Sequence, residues 1–301
     1  MIRAERRVPA AHEDMTVCPA PYLPFLDRHK AHPPGLWALD PATWVEIDAA
    51  YAPQMAYRDR LIAEGGERVT AQIPEAGAAV AELWDTLIAH LLDRYPGRFR
   101  PSEIGIVRGD GVEVPRGTSE RLMSAVGRLV QEDWCLLLPP QDDAETEYRL
   151  GAASLCFPSR WRLEEKIGHP MTAIHGPVPD YPAQLAPRIN RIFAALPVER
   201  PVQRLNWSLQ GGAPELHWRE ARDDNGVSGP FYFRSERQTL RRLPQSRAVV
   251  FGIKIAVTPI TDLNRNVRDR LIDALDTMAP SLKAYKGSDA FHASVRTALL
   301  T

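Results

Sequence analysis

Five apolar runs of strand length between residues 133 and 257 constrain the fold of this chain more than any other feature. They are DWCLLLP (133–139), YRLGAASLCF (148–157), RLNWSL (204–209), PFYFRSE (230–236) and RAVVFGIKIAV (247–257). The first two flank the acidic turn QDDAETE, so they are expected to pair as antiparallel neighbours. A further strand is expected at EIGIVR, 103–108. Helical periodicity is clearest at 78–94, where Val80, Leu83, Trp84, Leu87, Ile88, Leu91 and Leu92 fall on one face, the spacing of an amphipathic helix packed on a core. Other helices are expected around 41–64, 119–131, 184–196 and 263–278. Helices first, then strands interrupted by helices, is not the strict alternation of a parallel sheet. The expected class is α+β, an antiparallel sheet whose one face must be covered.

With 301 residues, the chain suits one large domain or two small ones and can bury a sizeable core. We divide it into a helical N-terminal extension, 1–96, packed on a core, 97–301, that ends in helices. Its 27 prolines suggest rigid connections between short elements, and its net charge of −1 gives no general attraction to nucleic acid or an acidic membrane. Cys18, Cys135 and Cys156 are too few and too scattered for a disulfide framework or an iron–sulfur site. Cys135 and Cys156 lie inside apolar runs and read as buried thiols. The charged first thirty residues do not form a secretory signal, and no run approaches the roughly 18 apolar residues of a membrane span. Cytoplasm is the expected location.

The most chemically suggestive segment is GHPMTAIHGPVPDY, 168–181. It sets His175 after the apolar Ile174 and stiffens the exit with Pro177, Pro179 and Pro182, since each proline fixes its own φ and biases its predecessor away from helix. A ring held this way suits an axial metal ligand; the same pattern also suits a buried or turn histidine with a hydrogen-bond partner. His169, the nearest rival, precedes a proline in a polar stretch and reads as an exposed turn. No HxxxH or HExxH spacing accompanies either one. Downstream, RSERQTLRRLP (234–244) packs Arg234, Arg237, Arg241 and Arg242 together, which in its plainest form is a solvated helix or turn with Glu236 as charge partner.

In order and spacing, FPSRW, the IHGPVP run, LNWSL, RSERQTLRRLP and VVFGIKI resemble the haem-dependent oxidative N-demethylase family. The resemblance starts near GLWALDPATWVEID, 35–48, and reaches the YKG at 285–287. It implies a PAS-like haem-binding core, haem b, and His175 as the axial ligand of the iron. It also implies a monooxygenase that hydroxylates the carbon beside the nitrogen of a small secondary amine. The carbinolamine then falls apart to the dealkylated amine and formaldehyde. Electrons would come ultimately from NAD(P)H through separate flavin and iron–sulfur, reductase and ferredoxin-like partners, because this chain has no GxGxxG after a strand and no cysteine set for a cluster. Given a haem, one arginine of the 234–242 cluster is expected to face a propionate, with Arg237 chosen. A cationic amine calls for a carboxylate or an aromatic face: Glu236 and Glu215 are the carboxylate candidates, Tyr181 and Trp207 the aromatic ones. The alternative function is a haem-PAS gas or redox sensor without turnover.

Overall fold

The computed structural model describes residues 22–27, 35–141, 147–159, 161–175, 186–212 and 229–301. Its strands are β1 (Trp37–Ala38), β2 (Thr70–Gln72), β3 (Arg100–Pro101), β4 (Gly105–Val107), β5 (Glu113–Pro115), β6 (Asp133–Leu138), β7 (Arg149–Ser154), β8 (Val202–Gly211), β9 (Phe231–Arg242) and β10 (Val249–Pro259). Its α-helices are α1 (Tyr51–Gly65), α2 (Gly77–Arg94), α3 (Leu122–Gly127), α4 (Met171–Ile174), α5 (Ala186–Ala195), α6 (Arg265–Asp276), α7 (Pro280–Lys286) and α8 (Asp289–Leu300). Seven strands form one sheet in the order β1-β8-β9-β10-β6-β7-β2, and β3-β4-β5 form a small second sheet. Every pairing is antiparallel. The protein is therefore α+β, a large antiparallel sheet with flanking helices, and β6 and β7 pair as the acidic turn between them required. Both edge strands, β1 and β2, come from the first 96 residues, so that region adds strands to the sheet as well as helices.

Two expectations change in detail. The helix placed around 41–64 begins only at Tyr51. Before it, Asp40 caps a short 3-10 turn by accepting from the Ala42 amide at 2.9 Å. The chain beyond is irregular, tied down where Glu46 N–H donates to Glu132 Oε1 (2.9 Å) and Asp48 N–H to Gln131 Oε1 (3.2 Å). The second change concerns RSERQTLRRLP, which is not a helix or turn: through Arg242 it continues β9, hydrogen-bonded to β8 on one side and β10 on the other. The aromatic run Phe231–Phe233 leads into it, and a strand paired on both sides buries even Arg234, Arg237 and Arg242.

Residues paired across antiparallel strands share a face, and neighbours along a strand alternate. The register therefore puts Arg204, Asn206, Glu236, Gln238, Phe251 and Ile253 on one face, here the front. Leu205, Trp207, Ser235, Arg237 and Lys254 lie on the back. Helices α2 and α3 cover one end of the back with Leu83, Leu87 and Val126 against Trp134, Leu136 and Val250. The other end lies under α6 and α8, whose Leu271 and Val295 pack on Phe231 and Phe233. On the front, α4 and α5 bring Met171, Ile174 and Phe193 onto Cys135, Leu137, Leu240 and Val249. Next to them, Tyr57 and Leu61 of α1 cover Ile255 and Val257. Among the described residues no helix is long and apolar enough to cross a membrane.

Candidate functional site

Between the two apolar clusters of the front face, β8, β9 and β10 present a strip that no helix of the described residues seals. Phe251 and Ile253 are only half-buried there, although β10 is paired on both sides. Next to them Glu236 is 12% exposed and heads a hydrogen-bonded group. Its Oε2 accepts from Gln238 Nε2 at 2.8 Å and from Asn206 Nδ2 at 3.2 Å, while Arg234 Nε lies 3.5 Å from its Oε1. Arg204 shares this face and meets the field of Glu236. The strip thus has an apolar floor and one carboxylate oriented by amides, the composition of a small-molecule site.

His175 stands at the C-terminal end of the single turn α4, which starts directly after Pro170. Met171 and Ile174 anchor that turn in the front-face cluster. His175 Nδ1 lies 3.0 Å from Met171 O. A carbonyl oxygen only accepts, so Nδ1 carries the proton and the lone pair belongs to Nε2. Burial holds the His175 pKa below the usual histidine value. The Met171 bond works against that shift, and the Lys166 and Arg204 charges reinforce it. The ring is therefore neutral at neutral pH, with its second nitrogen oriented by a backbone carbonyl, as a ligating histidine requires.

The other sequence candidates separate. Arg237 follows Glu236 in a strand and so points to the back. There its Nε donates to Gln203 Oε1 (2.9 Å), its Nη2 donates to Thr43 O (2.6 Å), and it pairs with Glu46 Oε1 at 3.1 Å. It fastens the 43–46 segment to the sheet on the side away from Glu236. Trp207 is also on the back, with ring centres 5.9 Å from Phe25 and 5.8 Å from Phe233 and Lys286 Nζ 4.9 Å above its ring. Tyr181, Glu215 and Cys18 lie outside the described residues. His169 is exposed, and its carbonyl accepts from Leu150 N–H (3.0 Å) in a turn, as expected. Cys135 and Cys156 are buried thiols; burial pushes both up, the latter to about 12, so neither is a thiolate at neutral pH. His90 of α2 is half-buried edge-on to Trp44, ring centres 5.4 Å apart. Burial, then the Arg241 and Arg94 charges, push its pKa down to about 4.

Sequence reading alone missed Arg204, Asn206, Gln238, Phe251 and Ile253 as site residues. The signal was the two-residue alternation in RLNWSL and SERQ, which assigns faces only once both segments are known to be paired strands.

The model of a family described as haem-dependent oxidative N-demethylase, alpha subunit-like, matches residues 35–296. The residues on the front face fit a haem. Among the described residues no group of three or more His, Cys, Asp or Glu side chains could hold a metal ion. A porphyrin, which brings four nitrogen ligands of its own, needs from the protein little more than one oriented neutral imidazole and an apolar floor. His175 would supply the first, and Phe251 and Ile253 the second. A match that runs from the segment before β1 into α8 makes this chain a member of the haem-dependent oxidative N-demethylase alpha subunit-like family, a group of haem-dependent oxidoreductases.

Proposed function

We propose that the protein is a monooxygenase that removes a methyl group oxidatively from a small secondary amine, releasing the dealkylated amine and formaldehyde. It would work in the cytoplasm with haem b in a PAS-like front-face pocket. The haem is held without covalent attachment, since the sequence contains no CxxCH motif. The observation that carries the proposal is the Nδ1–H bond from His175 to Met171 O, 3.0 Å long, in a turn whose Met171 and Ile174 share an apolar cluster with the half-buried Phe251.

Bound haem would supply the activation of dioxygen. His175 would hold it through Nε2, and the Met171 carbonyl keeps the ring from turning. Glu236, fixed by Gln238 and Asn206, is the carboxylate we assign to the ammonium form of the amine. Its negative charge favours that cation in a partly desolvated strip. Glu215 and Tyr181, from the sequence, are proposed as further members of the amine pocket. Arg237 and Trp207 would support the sheet from behind, without touching cofactor. Electrons are proposed to arrive from NAD(P)H through separate flavin- and iron–sulfur-carrying subunits. An alpha subunit-like family carries the implication of companion subunits.

The test has two stages. Hemin added to the purified chain should give a Soret band; a preparation that takes up no hemin rejects the proposal. With a reductase, NADPH and dioxygen, the loaded protein should then release formaldehyde from a secondary amine. Haem uptake without any turnover across a panel of small amines favours the sensor reading instead.

A further inference from the structure

Arg204 is a front-face group with a buried polar atom that the described residues leave unanswered. Its Nε is buried and has no hydrogen-bond partner among the described residues. Burial pulls its pKa below the ordinary arginine value, with the Glu236 charge opposing. Glu236 itself is already engaged by Gln238, Asn206 and Arg234. Arg204 is partly buried, and a buried N–H of a cation left without an acceptor is costly. A chain keeps such a group where an anion arrives from outside to complete it.

The geometry points to Arg204 as the anchor for a carboxylate of the molecule bound at His175, and that carboxylate is a haem propionate. This rests on the haem reading above and names a residue different from the one the arginine-rich motif suggested. Three features support it. Arg204 lies on the His175 face, whereas Arg237 is spent on Glu46, Gln203 and Thr43 behind the sheet. Its charge is one of those acting on His175. A planar fork also suits a carboxylate better than any other side-chain cation does.

Hemin and its dimethyl ester, in which both propionates are neutral, distinguish this role by absorbance titration of the apoprotein. Wild type should bind hemin about tenfold or more tightly than the diester, the scale of one charge-assisted hydrogen bond. Arg204→Met should weaken hemin binding by that factor, leave diester binding unchanged, and so erase the preference; Arg204→Lys should restore part of it. Because Arg204 has no acceptor for Nε in the apoprotein, Arg204→Met should melt at or above the wild-type temperature. Loss of hemin and diester in equal measure, an unchanged preference, or a melting temperature several degrees lower each overturns the assignment and leaves the haem reading standing. If wild type takes up neither compound, the haem reading itself fails and this one with it.

Discussion

The bond from Nδ1–H to the Met171 carbonyl orients the His175 ring. His175→Ala should therefore abolish or greatly weaken the Soret band, or leave one restored by added imidazole, while the apoprotein stays folded. His169→Ala should leave the spectrum as it is, because that side chain is exposed and only its carbonyl is used, by Leu150. An unchanged spectrum in His175→Ala rejects the ligand assignment. A different residue decides folding. Asp133 is 1% exposed and pairs with the fully buried Arg58 at 2.7 Å. The same carboxylate accepts from the Cys156 and Phe157 amides, both at 2.8 Å. Asp133→Ala strands Arg58 and two buried N–H groups, so it should cost about 3–5 kcal/mol in urea unfolding. A loss below about 1 kcal/mol would show that the pair is solvated in solution.

At the scale of elements, the central strands bring the site together, and they explain what the sequence could and could not reveal. The strand runs at 133–139, 148–157, 204–209, 230–236 and 247–257 were legible because period and composition agree there. The faces of β8 and β9 were not. Four arginines in nine residues resemble a solvated helix, and nothing local reports that β9 is buried between two partners. Once it is a strand, Glu236 and Arg237 must point to opposite sides, and register puts Arg204 on the Glu236 side. Gly252 shows how closely these strands are packed on the back. A Cβ there would sit 2.6 Å from the Trp134 ring and 2.7 Å from Thr239 Oγ1. Trp134 and Thr239 flank Gly252 across both ladders, so neither can withdraw without disturbing its strand. Gly252→Ala should cost about 1–3 kcal/mol by overpacking, measurable as a lower urea midpoint at unchanged m-value. A neutral result would mean that the Trp134 ring has room to move.

Across the whole molecule, buried groups that titrate respond to acid with opposite signs. His175 on the front and His90 behind have folded pKa values below the ordinary histidine value, His90 at about 4. Below about pH 6.5 the unfolded chain takes up protons that these folded rings refuse, so both terms withdraw stability as pH falls through that window, for His90 down to about 4. Glu132 runs the other way. Burial raises its folded pKa above the ordinary carboxylate value despite Lys254, the Glu46 amide and Arg237. The folded state then binds the extra proton, and falling pH adds stability until the unfolded carboxyl is protonated as well, near 4.5. Between about pH 6.5 and 4.5 the apoprotein should therefore lose less stability than two depressed histidines alone would remove. Glu132→Gln keeps an acceptor for the Glu46 amide and deletes the opposing proton, so its urea midpoint should fall more steeply than that of wild type across this window. Parallel midpoint-against-pH curves for the two proteins would show that Glu132 titrates as a solvated carboxyl. A shallower curve for the variant would reverse the assigned sign.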